Sequence, residues 1–130
     1  MFEKLFKKRT KENKTTTSKL SQEERISLQN ENKDLLGTLK KIPEKERPIK
    51  YDQLGKNYMS LNELDSAIEV FETSLKIKEQ FGVAYNNLLN LYEIKRKKAA
   101  EQKDNQEIQK WNDKTDSLLA LSKRVMRSSL

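Results

Sequence analysis

The chain has 130 residues and a net charge of +7, with 36% charged and 34% hydrophobic residues, which suits one small domain with extensions. Its 3 glycines and 2 prolines, beside many Glu, Lys and Leu residues, favour helix throughout and make an all-α fold the expectation. The absence of cysteine and histidine excludes disulfides, thiolate metal sites and the commonest general base, and no stretch approaches the roughly 18 apolar residues of a membrane span.

Residues 1–19 form a basic segment in which seven Lys and Arg face two acidic residues, a balance of +5. Its apolar residues, Phe2, Leu5 and Phe6, are surrounded by lysines, and the run Thr-Thr-Thr-Ser at 15–18 has no apolar anchor. We interpret this segment as a disordered, solubilising tail. Two alternatives stay open: residues 1–9 could tether the chain to an anionic membrane surface, or the tail could contact nucleic acid.

Residues 20–42 are predicted to form a leading helix. Ser21 and Glu24 have the spacing of a capping box, which places the helix start at Ser21. The helix is expected to end at Ile42, because Pro43 disfavours helix for its neighbour. The apolar residues step by 7, 4 and 3 and so share one face: Leu28, Leu35, Leu39 and Ile42.

Residues 48–81 carry aromatic, small and apolar residues at the spacing of two packed helices. The marked positions are Tyr51, Leu54, Gly55, Tyr58, Ala67, Phe71 and Ser74. They closely resemble the tetratricopeptide repeat, a 34-residue hairpin with the pattern Trp-x2-Leu-Gly-x2-Tyr, then Ala-x3-Phe, then Pro, although Glu79 stands at the proline position. The resemblance implies a core built from these residues with Leu64, Ile68 and Leu75, a turn at Asn62, and close helix approach at Gly55.

Adding 34 to each of these residue numbers reveals a second copy of the pattern. In its first half, three of the four positions carry a matching residue, at Tyr85, Leu88 and Tyr92, while Leu89 replaces the glycine. The second half fits only after an insertion of 14 residues, which would lengthen each helix by two turns, about 10 Å. The small–large–small positions then fall at Thr115, Leu119 and Ser122.

The inserted segment is expected to supply its own apolar seam through Ile108, Trp111 and Leu118, after a helix start capped by Asp104. We therefore predict that residues 82–126 form an elongated second repeat. Residues 20–130 would be one domain, a tetratricopeptide-like α-α superhelix of about five helices.

In the family that this chain resembles, the first helix of each repeat lines a concave groove for a peptide or a partner helix. Carried over by alignment, the groove residues would be Ile49, Asp52, Lys56, Met59, Val83, Asn86, Asn87 and Asn90. Some members clamp a C-terminal carboxylate with Lys and Asn. Asn87 matches one such position, but Asp52 and Lys56 depart from the pattern, so we do not expect a clamp. The resemblance implies a protein-interaction adaptor or scaffold, with homo-oligomers possible.

No phosphate loop, nucleophile elbow or metal-ligand spacing occurs in the sequence. The basic run at 95–98 lacks interleaved aromatic residues and is interpreted as a solvated helix flank. We expect a non-enzymatic protein without a cofactor, acting in a bacterial cytoplasm. The alternatives are a peripheral membrane scaffold and a nucleic-acid accessory protein.

Overall fold

The computed structural model describes residues 20–129, so the predicted tail at 1–19 lies outside the described residues. Within them the fold is all-helical, as predicted, with five α-helices packed against one another. A short 3₁₀ helix, Glu44–Glu46, joins the first two. The α-helices are α1 (Gln22–Leu39), α2 (Arg47–Ser60), α3 (Leu64–Ile77), α4 (Val83–Glu101) and α5 (Asn105–Ser129).

Helix α1 begins with the predicted capping box. The Ser21 hydroxyl accepts from the Glu24 N–H at 3.0 Å, and the Glu24 carboxylate accepts from the Ser21 N–H at 2.9 Å. The helix ends at Leu39, three residues before the predicted stop at Ile42. The Lys41 N–H donates to the Thr38 carbonyl in a tightened last turn. The helix therefore ends before Ile42, the residue for which Pro43 disfavours the helical conformation.

Helices α2 and α3 form a tight antiparallel hairpin. A Cβ added to Gly55 would come within 2.7 Å of three ring carbons of Phe71, which is fully buried. The glycine therefore offsets its helix-breaking tendency by letting an aromatic ring lie against the backbone of α2. The turn is made at Asn62, which has φ 62°, the left-handed conformation that asparagine tolerates better than most residues.

The turn between α4 and α5 repeats the hydrogen bonds of the turn between α2 and α3. At 61–63 the three successive N–H groups donate to the carbonyls of Asn57, Met59 and Tyr58. At 102–104 they donate to the corresponding carbonyls of Lys98, Ala100 and Ala99, and the middle residue Lys103 again has positive φ, 57°. The same local structure thus recurs 41 residues later.

The second hairpin is longer than the first. Helices α4 and α5 have 19 and 25 residues, whereas α2 and α3 have 14 each. Helix α4 continues for nine residues past Tyr92, and α2 for two residues past Tyr58. The difference of seven residues is two helical turns, about 10 Å of added length.

The structure corrects the assignment of the α5 seam. Leu119, expected at a core position, is 45% exposed, whereas Leu118 is 5% exposed and Trp111 is buried. The residues that pack against the core are Trp111, Leu118, Leu121 and Val125. These side chains face the core because they bury more apolar surface than Thr115, Leu119 and Ser122 would.

Successive helices contact each other along the chain, and α2 also touches α4. The main core lies between α3, α4 and α5. Tyr51, Tyr58 and Leu64, which were expected in the core, are only half-buried, and Tyr58 and Leu64 pack at its edge. No described helix is long and apolar enough to cross a membrane.

Candidate interaction surfaces

The predicted groove lies along α2 and α4, which touch each other and, as alternate members of an antiparallel series, run in the same direction. Five of its eight residues are exposed: Ile49, Lys56, Val83, Asn86 and Asn90. Ile49 is 75% exposed and stands 34 residues before Val83, which is also an exposed apolar residue. This face therefore offers apolar contacts at one end and amide and ammonium groups along its length.

The other three predicted groove residues are half-buried: Asp52, Met59 and Asn87. Asp52 accepts a hydrogen bond from the Ser74 hydroxyl of α3 at 2.7 Å. Burial raises the pKa of Asp52 above its usual value, against smaller opposing effects of Ser74 and of the Lys56 charge. The Asn87 amide donates to the Val83 carbonyl of its own helix at 3.0 Å. Asp52 and Asn87 thus have partners within the fold.

A second groove, which the sequence did not predict, separates α3 from α5. Its cavity of about 430 Å³ has an apolar floor that includes Leu75, Leu88 and Leu121. Two ion pairs bridge its rims, Glu72–Lys114 at 2.8 Å and Glu79–Arg124 at 2.9 Å. The residue numbers of the paired groups rise together along both helices, so α3 and α5 run in the same direction.

A cluster of aromatic and charged groups closes one end of this second groove. The Tyr92 hydroxyl and the Lys114 ammonium donate to the same oxygen of Glu72. Burial, followed by the hydrogen bond to Glu72 and its negative charge, raises the pKa of Tyr92. The ring of Trp111 lies 5.8 Å from that of Tyr92, and the Lys110 ammonium sits 4.8 Å over the indole. The cluster joins three helices, so we assign it a structural role.

The contact between α1 and α2 includes a buried polar network beside the buried Leu39. The Asn57 side-chain amide donates to Asn32 at 2.8 Å and to Glu31 at 2.7 Å. Its oxygen accepts from Gln53, and both asparagines are buried. Asn32 lies in the seven-residue gap between Leu28 and Leu35, a sequence signal that could have identified it. Because each buried amide is hydrogen-bonded, the network fixes how α1 sits on α2.

The basic run at 95–98 is partly neutralised by the fold. Lys95 pairs with Asp65 and lowers the pKa of that carboxyl, and Arg96 pairs with Glu93 at 2.6 Å. Lys97 and Lys98 remain exposed. Across residues 20–129, no group of three or more acidic side chains is arranged to hold a metal ion.

Comparisons with known proteins identify no matching family model, no matching curated protein and no matching solved structure.

Proposed function

We propose that this chain is a non-enzymatic protein-interaction module of the tetratricopeptide-repeat type. It binds a peptide or a partner helix along the exposed face of α2 and α4. The observation that carries the proposal is the recurrence of one hairpin turn, with the same hydrogen bonds, at 61–63 and 102–104. Repeated hairpins place their first helices side by side, which creates an extended binding face.

The chemistry of this face suits a polypeptide ligand. Lys56 and Asn90 are both exposed, on neighbouring helices and 34 residues apart. Amide and ammonium groups can meet peptide carbonyls or acidic side chains, each neutral hydrogen bond contributing about 0.5–1.5 kcal/mol. The exposed Ile49 and Val83 would receive an apolar side chain at the other end of the face.

Selection from a displayed random-peptide library on the immobilised full chain tests this proposal. Enriched peptides are synthesised, and their dissociation constants are measured by titration calorimetry. We expect Lys56→Glu with Asn90→Glu to weaken binding about tenfold or more, because the change replaces a cation and a neutral amide of the face with two carboxylates.

The matched control is Lys33→Glu with Asn30→Glu, the same two changes on the exposed surface of α1. It should leave the dissociation constants within about twofold, a difference too small to indicate a lost contact. The absence of any enriched peptide, or equal binding by the wild type and the groove variant, would overturn the proposal.

A further inference from the structure

Helix α5 has an outer face that the other described helices cover only in part. Its residues step by 7, 4, 3 and 4: Ile108, Thr115, Leu119, Ser122 and Met126. We call this set the outer stripe. Leu119 and Met126 are 45% and 58% exposed. Among the described helices, α5 packs extensively on α4 alone.

The corresponding face of α3 is covered by the next helix of the array. Asp65 and Glu72 of that face contact Lys95 and Tyr92 of α4, and Ile68 and Leu75, on the same face, are buried. The outer stripe is therefore an array end, a face with the geometry of a packing surface but without a packed neighbour.

The charges beside the outer stripe are self-complementary. Asp116 and Lys123 lie on one flank, seven residues apart, and both are exposed. Neither forms an ion pair or a hydrogen bond within the described part of the chain. In an antiparallel pair of α5 helices related by a two-fold axis between Leu119 and Ala120, Asp116 of each copy is level with Lys123 of the other. A parallel pair would instead place Asp116 of one copy and Lys123 of the other on opposite sides of the contact, where they could not pair.

The same two-fold register also interdigitates the outer stripes. Ser122 falls level with residue 117 of the other copy, between its Thr115 and Leu119. Leu119 falls level with residue 120, between Leu119 and Ser122 of the other copy. Met126 falls level with residue 113, between Ile108 and Thr115 of the other copy, while Ile108 itself lies outside the paired stretch 113–126. Each stripe side chain within that stretch therefore meets a gap, as knobs-into-holes packing of helices requires.

From this coincidence of apolar spacing and charge order, we infer that the outer stripe of α5 binds a second copy of this chain in an antiparallel, two-fold symmetric dimer. The inference goes beyond the proposed peptide groove, since the surface lies on a different helix and leaves α2 free. A single helix face is small beside the roughly 1,200–2,000 Å² of standard interfaces, so the dimer should be concentration-dependent.

Sedimentation velocity of the full chain from about 10 µM to about 1 mM tests the inference, a range that covers weak association. The wild type should pass from monomer to dimer. Leu119→Lys should weaken the dimer about tenfold or more, because it places an ammonium group in the apolar contact. Circular dichroism of each variant checks that the helices remain folded.

Charge exchange distinguishes this dimer from other modes of association. Asp116→Lys alone, or Lys123→Asp alone, should weaken the dimer about five- to tenfold, since each converts two attractions into two repulsions. The double variant should restore the wild-type constant to within about twofold, and the two single variants mixed together should form a heterodimer. Glu101→Lys, the same charge change at the exposed end of α4, is the matched control and should change nothing.

A monomer throughout the concentration range would overturn the inference and would indicate that another part of the chain or a different partner covers α5. A dimer insensitive to Leu119→Lys, or one that the double exchange fails to restore, would overturn it as well. None of these results bears on peptide binding by α2 and α4, which the groove variant tests separately.

Discussion

At the scale of single residues, Gly55 lets the ring of Phe71 lie against the backbone of α2, and Asn62 takes the left-handed conformation at the turn. Both features are predictable from the sequence, because a mid-helix glycine and a turn asparagine each serve a specific conformational need. Leu119 was misplaced because Leu118 and Leu119 adjoin each other, and their spacing in the sequence fits two different faces of α5. Only the packing of the whole hairpin selects between them.

Gly55→Ala is expected to destabilise the protein by about 1–3 kcal/mol, although alanine is the better helix former. The new methyl group would collide with the buried ring of Phe71. Gly37→Ala is the matched control, because a Cβ at Gly37 meets nothing within 4 Å. That change should raise the free energy of unfolding by about 0.5–1 kcal/mol. Urea denaturation measures both, and equal effects of the two changes would contradict the close approach.

Asp52→Asn is expected to make the protein more stable than the wild type near neutral pH. Burial raises the pKa of Asp52 in the folded state, so protonation of this carboxyl stabilises folding below the unfolded pKa of about 3.8. That contribution is lost as the pH rises through the folded pKa. Asparagine carries no charge and keeps an oxygen to accept from Ser74.

Denaturation of the wild type and Asp52→Asn at several pH values between about 4 and 7 checks this prediction, because that interval begins at the ordinary pKa of Asp. The advantage of the variant should grow with pH and then level off. An advantage that shrinks as the pH rises would show that Asp52 is stabilised as a carboxylate.

At the scale of helices, hydrophobic periodicity predicted which helices exist but not how α1 is attached. Asn32 and Asn57 lie 25 residues apart, on two different helices, and they bond each other. No periodicity within either helix reveals such a pairing. The helix ends were better determined, since capping boxes and turn residues act over three or four neighbouring positions.

Asn57→Ala should cost about 1–3 kcal/mol, because it leaves the buried oxygen of Asn32 without its donor. The effect should be concentrated in α1. Hydrogen exchange should show loss of protection in α1, while amides of α4 and α5 keep theirs. Asn30→Ala, at an exposed position of α1, is the control and should stay within about 0.5 kcal/mol of the wild type. Uniform loss of protection across all five helices would refute a local role.

Lys103→Gly should stabilise the second hairpin by about 0.5–1 kcal/mol. Lys103 is exposed and has φ 57°, a conformation that strains any residue with a Cβ and suits glycine. Lys97→Gly, in the interior of α4, should cost about 1 kcal/mol and serves as the control. Thermal denaturation measures the two changes, and destabilisation by Lys103→Gly would argue against the positive φ.

At the scale of the whole molecule, the fold is a linear series in which each helix packs mainly on its neighbours in sequence. Such a series was predictable from the repeat pattern, because consecutive short-looped helices pair. The groove between α3 and α5 was not, since it depends on two helices that are not consecutive. Its two bridging ion pairs involve residues 42 and 45 positions apart, far beyond any local signal.

Unfolding should begin at the α1 end of this series. Trp111 is the chain's single tryptophan and is buried in the second hairpin, so its fluorescence reports on α4 and α5. Far-ultraviolet circular dichroism reports on all helices. We expect ellipticity to fall at lower urea than the fluorescence changes, and Asn57→Ala to widen the gap, because polar contacts hold α1. Superimposed transitions in Asn57→Ala would contradict this order.

Past the equivalent tyrosines, Tyr58 and Tyr92, helix α4 continues for seven residues more than α2, which gives the second hairpin a projecting tip. Seven residues turn a helix through about 700°, only some 20° short of two full revolutions. The apolar side of the added length therefore stays almost in line with the side below it. A change of one heptad in each arm would move the tip by about 10 Å and preserve its facing, whereas a change of three or four residues would swing it around the axis. The length of the second hairpin could thus change in heptad steps while the direction that its tip faces stayed almost the same.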